Sequence, residues 1–360
     1  MNAQLDRIEI RGFKSIKECN LKLNSINVLI GSNGAGKSNF ISVFSLMTDV
    51  LKKSLQLEAN KCGINSLFYN GIKITQKIEV ETHFKDDAYG FSLIPTDDNR
   101  VIFEDEYFIY QENREHHLGS GHSESRLNQN IDDDGSHSFP ILKNPGWRVY
   151  HFHDTSRYSK IKQEHNLSDN RMLHFDASNL AAFLYRLKQY YPKNYQEIVA
   201  TVRLAAPYFD DFLLEPREAN KEQIILKWQQ KGSDTVFNAS QLSDGTLRFM
   251  CLAALFLQPL ELQPSAVIVD EPELGLHPYA ITILAEMVRK ASVHRQIILS
   301  TQSVDLVDEF DVEDIVVVDR NRNGSAFRRL DSEALQEWLE NDYTIGELWQ
   351  KNILGGRLSG

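Results

Sequence analysis

The sequence is poor in cysteine, in long apolar runs and in positive charge, and each shortage excludes a class of protein. Its three cysteines, Cys19, Cys62 and Cys251, stand far apart, so they provide neither a disulfide framework nor a CxxC metal site. No stretch approaches the roughly 18 uncharged apolar residues of a membrane span. The opening residues MNAQLDRIEI show no secretory signal. We therefore expect a cytoplasmic protein that does not act at a membrane.

Charge and length set two further limits. The 39 Lys and Arg residues face 50 Asp and Glu residues, which gives a formal charge of −11. This balance argues against coating nucleic acid by bulk charge, but it leaves a local basic groove and hence DNA binding open. At about 150 residues per domain, the length predicts two domains or one domain with insertions.

A glycine-rich segment carries the first chemical signal. Residues 31–38, GSNGAGKS, fit the pattern GxxxxGK[ST] between a predicted buried strand, residues 26–30, and a predicted helix, residues 38–51. Glycines let backbone N–H groups wrap phosphate oxygens at a helix N-terminus. We predict that Lys37 reaches the β- and γ-phosphates and that Ser38 binds Mg²⁺. The other predicted ATP-binding residues of this region are Asn33, Gly34, Gly36 and Asn39.

A second signal is an apolar strand that ends in two carboxylates. Residues 266–269 are followed by Asp270 and Glu271. A carboxylate at a strand end that faces the phosphate loop can hold Mg²⁺, which is the role predicted for Asp270. Glu271 is predicted to be catalytic, because an adjacent carboxylate can orient and polarise the attacking water.

A third signal is the string LSDGT, residues 242–246, directly before a predicted helix. Ser243 suits the N-cap of that helix, and a simple capped helix is one interpretation. The alternative is a second phosphate-facing helix start, in which Ser243 and Gly245 contact the ATP of another subunit.

These motifs together resemble a known group of proteins. GSNGAGKSN, LSDGT and VIVDEPELGLHP, in this order, are similar to the ABC-type ATPase heads related to SMC, RecF and OLD proteins. The opening IEIRGFKS resembles their usual start, which implies that Arg11 approaches nucleotide phosphates. In place of the switch histidine of those heads stands Gln302, which can hydrogen-bond a phosphate or water but cannot become cationic. This departure leads us to expect slow turnover.

The resemblance implies the fold and its division along the chain. We expect an α/β, ABC-type P-loop NTPase head with a RecA-like core, an antiparallel β lobe and a helical signature lobe. The interval between Ser38 and Leu242 is short and lacks heptads, so we expect no long coiled coil. The predicted segments are a β lobe with the phosphate loop (1–110), a polar surface loop that need not be ordered (111–146), a helical and β lobe with the signature (147–260), the Walker B half of the core (261–330) and a helical tail (331–360).

A narrower resemblance concerns the biological role. VYHFHDTS, NLAAFLYRL, QLSDGTLRF and YTIGELWQKNILGGR resemble bacterial stand-alone AAA-annotated ATPases found in anti-phage defence loci beside a gene for a Toprim-like or other nuclease. This implies an ATP-dependent homodimer, or a higher homo-oligomer, with a nuclease as effector. Two other classes remain open: a RecF-like DNA-repair ATPase that binds DNA directly, and the nucleotide-binding subunit of a transporter.

Two features are left with paired interpretations. His153 and Asp154 could belong to the nucleotide site or to a partner contact, or Asp154 could cap a turn. The tail at residues 343–357 could pack on the chain's own core, or its tryptophan-bearing face could dock a partner.

Overall fold

The computed structural model describes residues 4–85, 87–110, 114–127 and 146–356. The chain forms two compact units, each assembled from separate stretches of sequence. Unit 1 comprises Met1–Arg148, Pro264–Ile268 and Ile298–Gly360, and unit 2 comprises Val149–Gln263 and Val269–Ile297. The division of the chain into five consecutive segments stays a prediction, while the local structure within 111–146 is described below.

The elements are numbered in chain order. The strands are β1 (Arg7–Phe13), β2 (Ile16–Lys22), β3 (Ile26–Ile30), β4 (Ile78–Phe84), β5 (Asp87–Pro95), β6 (Val101–Tyr110), β7 (Arg114–Gly119), β8 (Trp147–Tyr150), β9 (His165–Asn166), β10 (Phe209–Leu213), β11 (Gln223–Ile224), β12 (Lys227–Gln230), β13 (Val236–Asn238), β14 (Ala266–Asp270), β15 (Gln296–Thr301), β16 (Ile315–Asn321) and β17 (Gly324–Arg329). The α-helices are α1 (Lys37–Leu51), α2 (Leu55–Cys62), α3 (Leu180–Tyr190), α4 (Pro192–Ala205), α5 (Asp244–Leu257), α6 (Pro278–Ser292), α7 (Val304–Val307), α8 (Ser332–Glu340) and α9 (Ile345–Gln350).

An antiparallel sheet in unit 1 has the strand order β2-β1-β4-β5-β6-β7. Every second residue of β4 is buried, as expected when one face of an antiparallel sheet covers a core. The β1–β2 hairpin pairs Ile10 with Cys19 and Phe13 with Ile16. The antiparallel β lobe predicted near the N-terminus is therefore confirmed.

The polar stretch at residues 111–146 is partly ordered sheet, and there the prediction of a loop is wrong. β7 pairs antiparallel with β6. His122, which lies in the segment predicted as a polar surface loop, is buried and donates from Nε2 to Glu106 at 2.9 Å. The polar composition gave no sign of this pairing, because strand formation here depends on the neighbouring strand. Residues 111–113 and 128–145, with His137 among them, lie outside the described residues.

A second sheet has the order β17-β16-β3-β15-β14-β8. All five residues of β3 are buried, which is typical of a strand covered on both faces. β3 pairs in parallel with β16, with Val28 opposite Ile315. The buried strand predicted at residues 26–30 and the helix predicted after the phosphate loop are both confirmed, whereas β17 was not predicted.

Unit 2 is mainly helical and is built around α5. Every residue of α5 from Leu247 to Leu257 is buried, and the helix lies against α4 and α6. β12 and β13 form a hairpin whose turn contains Gly232. The preceding short strand β11 pairs with β9 instead, with Ile224 opposite His165.

Helix lengths settle one expectation from the sequence. Within the described part of the chain, α1 and α6 are the longest helices, with 15 residues each. The expected absence of a long coiled coil is confirmed for these residues. No helix among them is long and apolar enough to cross a membrane.

The tail packs on unit 1. In α9, Leu348 is fully buried and Trp349 is 5% exposed. The Gly346 amide donates to Asp308 Oδ1 at 2.6 Å, which ties α9 to the end of α7. Of the two interpretations of residues 343–357, the structure favours packing on the chain's own core.

Candidate nucleotide site

The phosphate loop connects β3 to α1 in unit 1. Gly34 and Gly36 have φ angles of 79° and 120°, in the left-handed region where residues with a Cβ are strained. Asn33, Gly34 and Ser38 are exposed, so the outer side of the loop is open to a ligand. Successive N–H groups in such a turn at a helix N-terminus form an anion-binding nest.

Lys37 is held across this loop. It is 5% exposed, and its Nζ donates to the carbonyl oxygens of Gly31 at 2.6 Å and Ser32 at 3.2 Å. The ammonium group therefore lies at the loop, where it can exchange carbonyl acceptors for phosphate oxygens.

A small polar network supports the loop from inside unit 1. Ser325 Oγ donates to the carbonyl of Ala35 at 2.5 Å and is 2.8 Å from Ser15 Oγ. Asn39 Nδ2 donates to the same Ser15 hydroxyl at 2.7 Å. A Cβ on Gly36 would overlap Ser325 Oγ, so this glycine is also required by close packing. Asn39 thus has a supporting role in the structure, while its contact with ATP stays a prediction.

The two basic residues of the motif IRGFKS, Arg11 and Lys14, lie in different surroundings. Arg11 is exposed and pairs with Glu18 at 3.4 Å and Glu79 at 3.7 Å. Lys14, in the turn between β1 and β2, donates from Nζ to Ser42 Oγ on α1 at 2.9 Å. Burial lowers the pKa of the Lys14 ammonium. The contact of Arg11 with nucleotide phosphates stays a prediction.

Asp270 and Glu271 lie in unit 2, at the end of β14 as predicted. Glu271 has a φ of +46°, a left-handed conformation that is costly for a residue with a long side chain. Such strain is found preferentially at functional positions. His153 donates from Nε2 to the Asp270 carbonyl at 2.8 Å and so holds the backbone just before Glu271.

Asp154 has a local structural role. Its Oδ1 accepts a hydrogen bond from the Ser156 amide at 3.1 Å. This is the turn-capping arrangement that was one of the interpretations of HFHDTS. A contact of Asp154 with nucleotide or partner is not needed to explain the residue.

The signature segment LSDGT begins α5 as predicted. Ser243 is the N-cap, and its Oγ accepts from the Thr246 amide at 3.1 Å while the residue stays exposed. A Cβ on Gly245 would overlap the carbonyl of Gly275, so the backbones of α5 and of the GLHP loop approach closely there. The contact of Ser243 and Gly245 with ATP stays a prediction.

Sequence reasoning missed Arg248, one turn into α5. The residue is 5% exposed, and its Nε donates to the Phe152 carbonyl at 3.0 Å. Its Nη2 donates to His153 O at 3.3 Å, and its Nη1 donates to Leu274 O. The signal was present, since an arginine within a run of apolar helix residues needs buried acceptors.

Gln302 directly follows β15 in unit 1 and is exposed. Its neighbour Ser303 caps α7 by accepting from the Leu306 amide at 3.3 Å. The predicted site residues are thus divided, with Lys37, Ser38 and Gln302 in unit 1 and the predicted carboxylate and signature residues in unit 2. The catalytic role of Gln302 stays a prediction.

A phosphate loop after a buried strand, a strand that ends in Asp-Glu and a capped signature helix occur together in the ABC-type ATPase heads, and this chain is of that nucleotide-binding class. Residues 26–308 match the family described as "AAA domain, putative AbiEii toxin, Type IV TA system". Since the match covers most of the chain, the chain belongs to that family.

Solved structures support the fold. The chain is similar to the SmcHead bound to the C-winged helix domain of ScpA, with a TM-score of 0.62 and 16% identity over 92% of this chain and 99% of that chain. It is also similar to the Smc head domain with an extended coiled coil bound to the C-terminal domain of ScpA, derived from Pyrococcus furiosus, with a TM-score of 0.56 and 16% identity over 94% and 99% of the two chains. At this identity the likeness shows the fold alone. No curated protein matches the chain at a significant level.

Proposed function

We propose that the chain is an ATP-binding and hydrolysing switch that closes as a head-to-tail homodimer around two ATP molecules and controls a partner effector, a nuclease, in bacterial anti-phage defence. The observation that carries the ATPase part is the phosphate loop. Its outer side is exposed, its glycines are left-handed, and Lys37 is held across it.

ATP and Mg²⁺ fit the residues of the site. The nest of N–H groups and the Lys37 ammonium suit the phosphate oxygens of ATP. The hydroxyl of Ser38 and the carboxylate of Asp270 are hard oxygen donors of the kind that Mg²⁺ prefers, and we assign them to that ion. When bound, Mg²⁺ neutralises charge on the β- and γ-phosphates.

The other residues act on the water and on the γ-phosphate. Glu271 accepts a hydrogen bond from the attacking water, orients it and takes up its proton. The amide of Gln302 hydrogen-bonds the γ-phosphate or the water, but it carries no positive charge, so turnover is expected to be slow. In the closed dimer, Ser243 and Gly245 of the second subunit meet the γ-phosphate, because the N-terminus of α5 favours an anion.

The defence role is supported by relationship. The family description names a putative toxin of a type IV toxin–antitoxin system. The strings HFHDTS, QLSDGTLRF and YTIGELWQKNILGGR resemble ATPases of anti-phage loci. The two Smc heads are bound to domains of ScpA in their structures, which supports an ATPase head as a docking surface for another protein.

Glu271→Gln tests this proposal. The variant should bind ATP as well as wild type, while its turnover falls by orders of magnitude, because the water-orienting carboxylate is lost and the phosphate loop is not. Light scattering should show a dimer of the variant with ATP. Glu286→Gln is the matched control, because Glu286 is an exposed residue on α6 and its substitution removes the same negative charge.

Wild-type turnover in Glu271→Gln would contradict the catalytic assignment, and a monomer with and without ATP would contradict the dimer. Purified protein should also retain a nuclease in a pull-down from its native host. Salt-dependent stimulation of the ATPase by duplex DNA without any nuclease would instead favour the RecF-like alternative.

A further inference from the structure

The segment after α9, residues 351–356, lies against the phosphate loop in unit 1, and we name it the glycine strap. It ends in Gly355 and Gly356, whose φ angles are +76° and +77°. The carbonyl of Gly356 accepts a hydrogen bond from the amide of Ser32 at 2.6 Å. Ser32 is the second residue of the phosphate loop, so the strap contacts the loop through its backbone.

The strap is itself fixed to the sheet. Asp319, at the solvent-facing end of β16, accepts from the Gly356 amide at 2.5 Å through Oδ1. Arg328 of β17 donates from Nη2 to the carbonyl of Leu354 at 2.7 Å, and Leu354 is 2% exposed. The amide of Gly356 is therefore bound to Asp319, and the carbonyl of the same residue is bound to Ser32.

The fit around Gly356 is close. A Cβ on this residue would lie 3.1 Å from Val317 Cγ1, 3.2 Å from Trp349 Nε1 and 3.4 Å from Gly31 Cα. Gly31, the first glycine of the phosphate loop, also lies against the carbonyl of Val318, which a Cβ on Gly31 would overlap. The start of the loop is thus packed between β16 and the strap, and glycine is required on both sides of the contact.

We propose that the glycine strap positions the phosphate loop for nucleotide binding, with Asp319 as the positioning residue that acts through Gly356 on Ser32. The inference rests on the proposed function, since it takes the loop as the ATP site. No strap residue needs to touch ATP. A loop that is already fixed in its binding conformation loses less conformational freedom when the ligand binds, so affinity rises.

The test compares Asp319→Ala with Asp319→Asn in the full chain. Alanine removes the acceptor for the Gly356 amide, whereas asparagine keeps an oxygen at the same place. Loss of one such hydrogen bond should weaken binding of a fluorescent ATP analogue with Mg²⁺ about threefold to tenfold in Asp319→Ala, and Asp319→Asn should restore most of the affinity. Hydrogen exchange of the Ser32 amide without nucleotide should rise in Asp319→Ala, which reports on the loop independently of ATP.

Leu348→Ala is the matched control. Leu348 is fully buried in α9, so its truncation destabilises the tail without removing a bond to the loop. Both Asp319→Ala and Leu348→Ala are expected to lower the melting temperature. If the two variants also weaken ATP binding by the same factor, the strap has only a structural role and the proposal is overturned. The double variant Asp319→Ala/Gly356→Ala should bind ATP no more weakly than the single variant with the lower affinity. If the losses in binding free energy of the two single variants add in the double variant, Asp319 does not act through Gly356.

The same measurements keep the two proposals apart. A wild-type protein that binds no ATP would overturn the proposed function, while faster exchange at Ser32 in Asp319→Ala would still support the contact between strap and loop. A wild-type protein that binds ATP, with unchanged affinity and unchanged Ser32 exchange in Asp319→Ala, would overturn the strap alone.

Discussion

Replacement of Arg248 tests whether α5 holds the backbone that carries Asp270 and Glu271. The guanidinium of Arg248 donates to the carbonyls of Phe152 and His153, and His153 in turn donates to the Asp270 carbonyl at 2.8 Å. One buried side chain thereby connects the signature helix to the residue before the strained Glu271. Arg248→Ala should loosen this connection and slow hydrolysis.

The expected loss of stability follows from the bonds that disappear. Arg248 makes three hydrogen bonds to backbone carbonyls, counting the one to Leu274. A hydrogen bond to a charged group contributes roughly 1.5–3 kcal/mol, but the three share one side chain and do not add. Burial lowers the pKa of Arg248, and the cost of desolvating a buried cation offsets part of the gain. We therefore expect a loss of about 3 kcal/mol in the free energy of unfolding.

The assay is steady-state ATP hydrolysis beside thermal unfolding. In Arg248→Ala the kcat should fall more than the KM for ATP rises, because the phosphates are assigned to Lys37 and the phosphate loop. Arg248→Lys should recover little, since a lysine lacks the planar fork that reaches several carbonyls. Leu252→Ala is the control: Leu252 is fully buried on the same helix, and its truncation should cost a similar 2–5 kcal/mol.

The comparison with Leu252→Ala decides the outcome. If both variants lose the same stability and the same fraction of kcat, Arg248 only supports the core of unit 2 and the reasoning is refuted. If Arg248→Ala raises the KM for ATP without lowering kcat, the residue acts on nucleotide binding and the assigned route through His153 is wrong.

Two further predictions concern the dimer and the pH dependence of stability. A mixture of Lys37→Ala and Ser243→Arg subunits should recover ATPase activity that neither variant has alone, because one composite site of the heterodimer keeps both residues, and no recovery would contradict the composite site. Burial raises the pKa of Asp49 to about 6, with a smaller contribution from Glu58, so its stabilising contribution is present below its unfolded value near 3.8 and is lost as the pH rises through 6. Asp49→Asn should therefore raise the melting temperature at pH 8 and raise it progressively less below pH 6, and a gain that does not depend on pH would contradict the assignment.

The elements predicted best from the sequence are those whose pattern is imposed by local chemistry. The run INVLI has apolar residues at four of its five positions and was predicted as a buried strand, and β3 has these bounds. The glycine-rich segment GSNGAGKS has glycines where the backbone is left-handed, and Gly34 and Gly36 have such φ angles. The carboxylates of VIVDE stand at the end of β14 for the same reason that they were predicted there: an apolar strand ends where charge begins.

The predictions failed where a distant segment decided the structure. β7 is polar and forms because β6 offers it a partner, and Glu106 of β6 accepts a hydrogen bond from the buried His122. Arg248 has its acceptors about 95 residues earlier and 26 residues later in the sequence. No local pattern contains these partners.

Two glycines of the motifs have a packing role in addition to the contact with ATP that was predicted for them. Gly36 and Gly245 were chosen as ATP-binding residues, and each is also required by a close approach within its own unit, Gly36 to Ser325 and Gly245 to the Gly275 carbonyl. Loss of ATPase activity on substitution of either glycine would therefore not show a contact with nucleotide, because the substitution displaces the neighbouring backbone or side chain as well. Ser243 is exposed, and among the described residues its side chain bonds only within its own helix start, to the amide and the hydroxyl of Thr246, so its substitution tests the contact with ATP with less displacement of neighbouring backbone than substitution of either glycine.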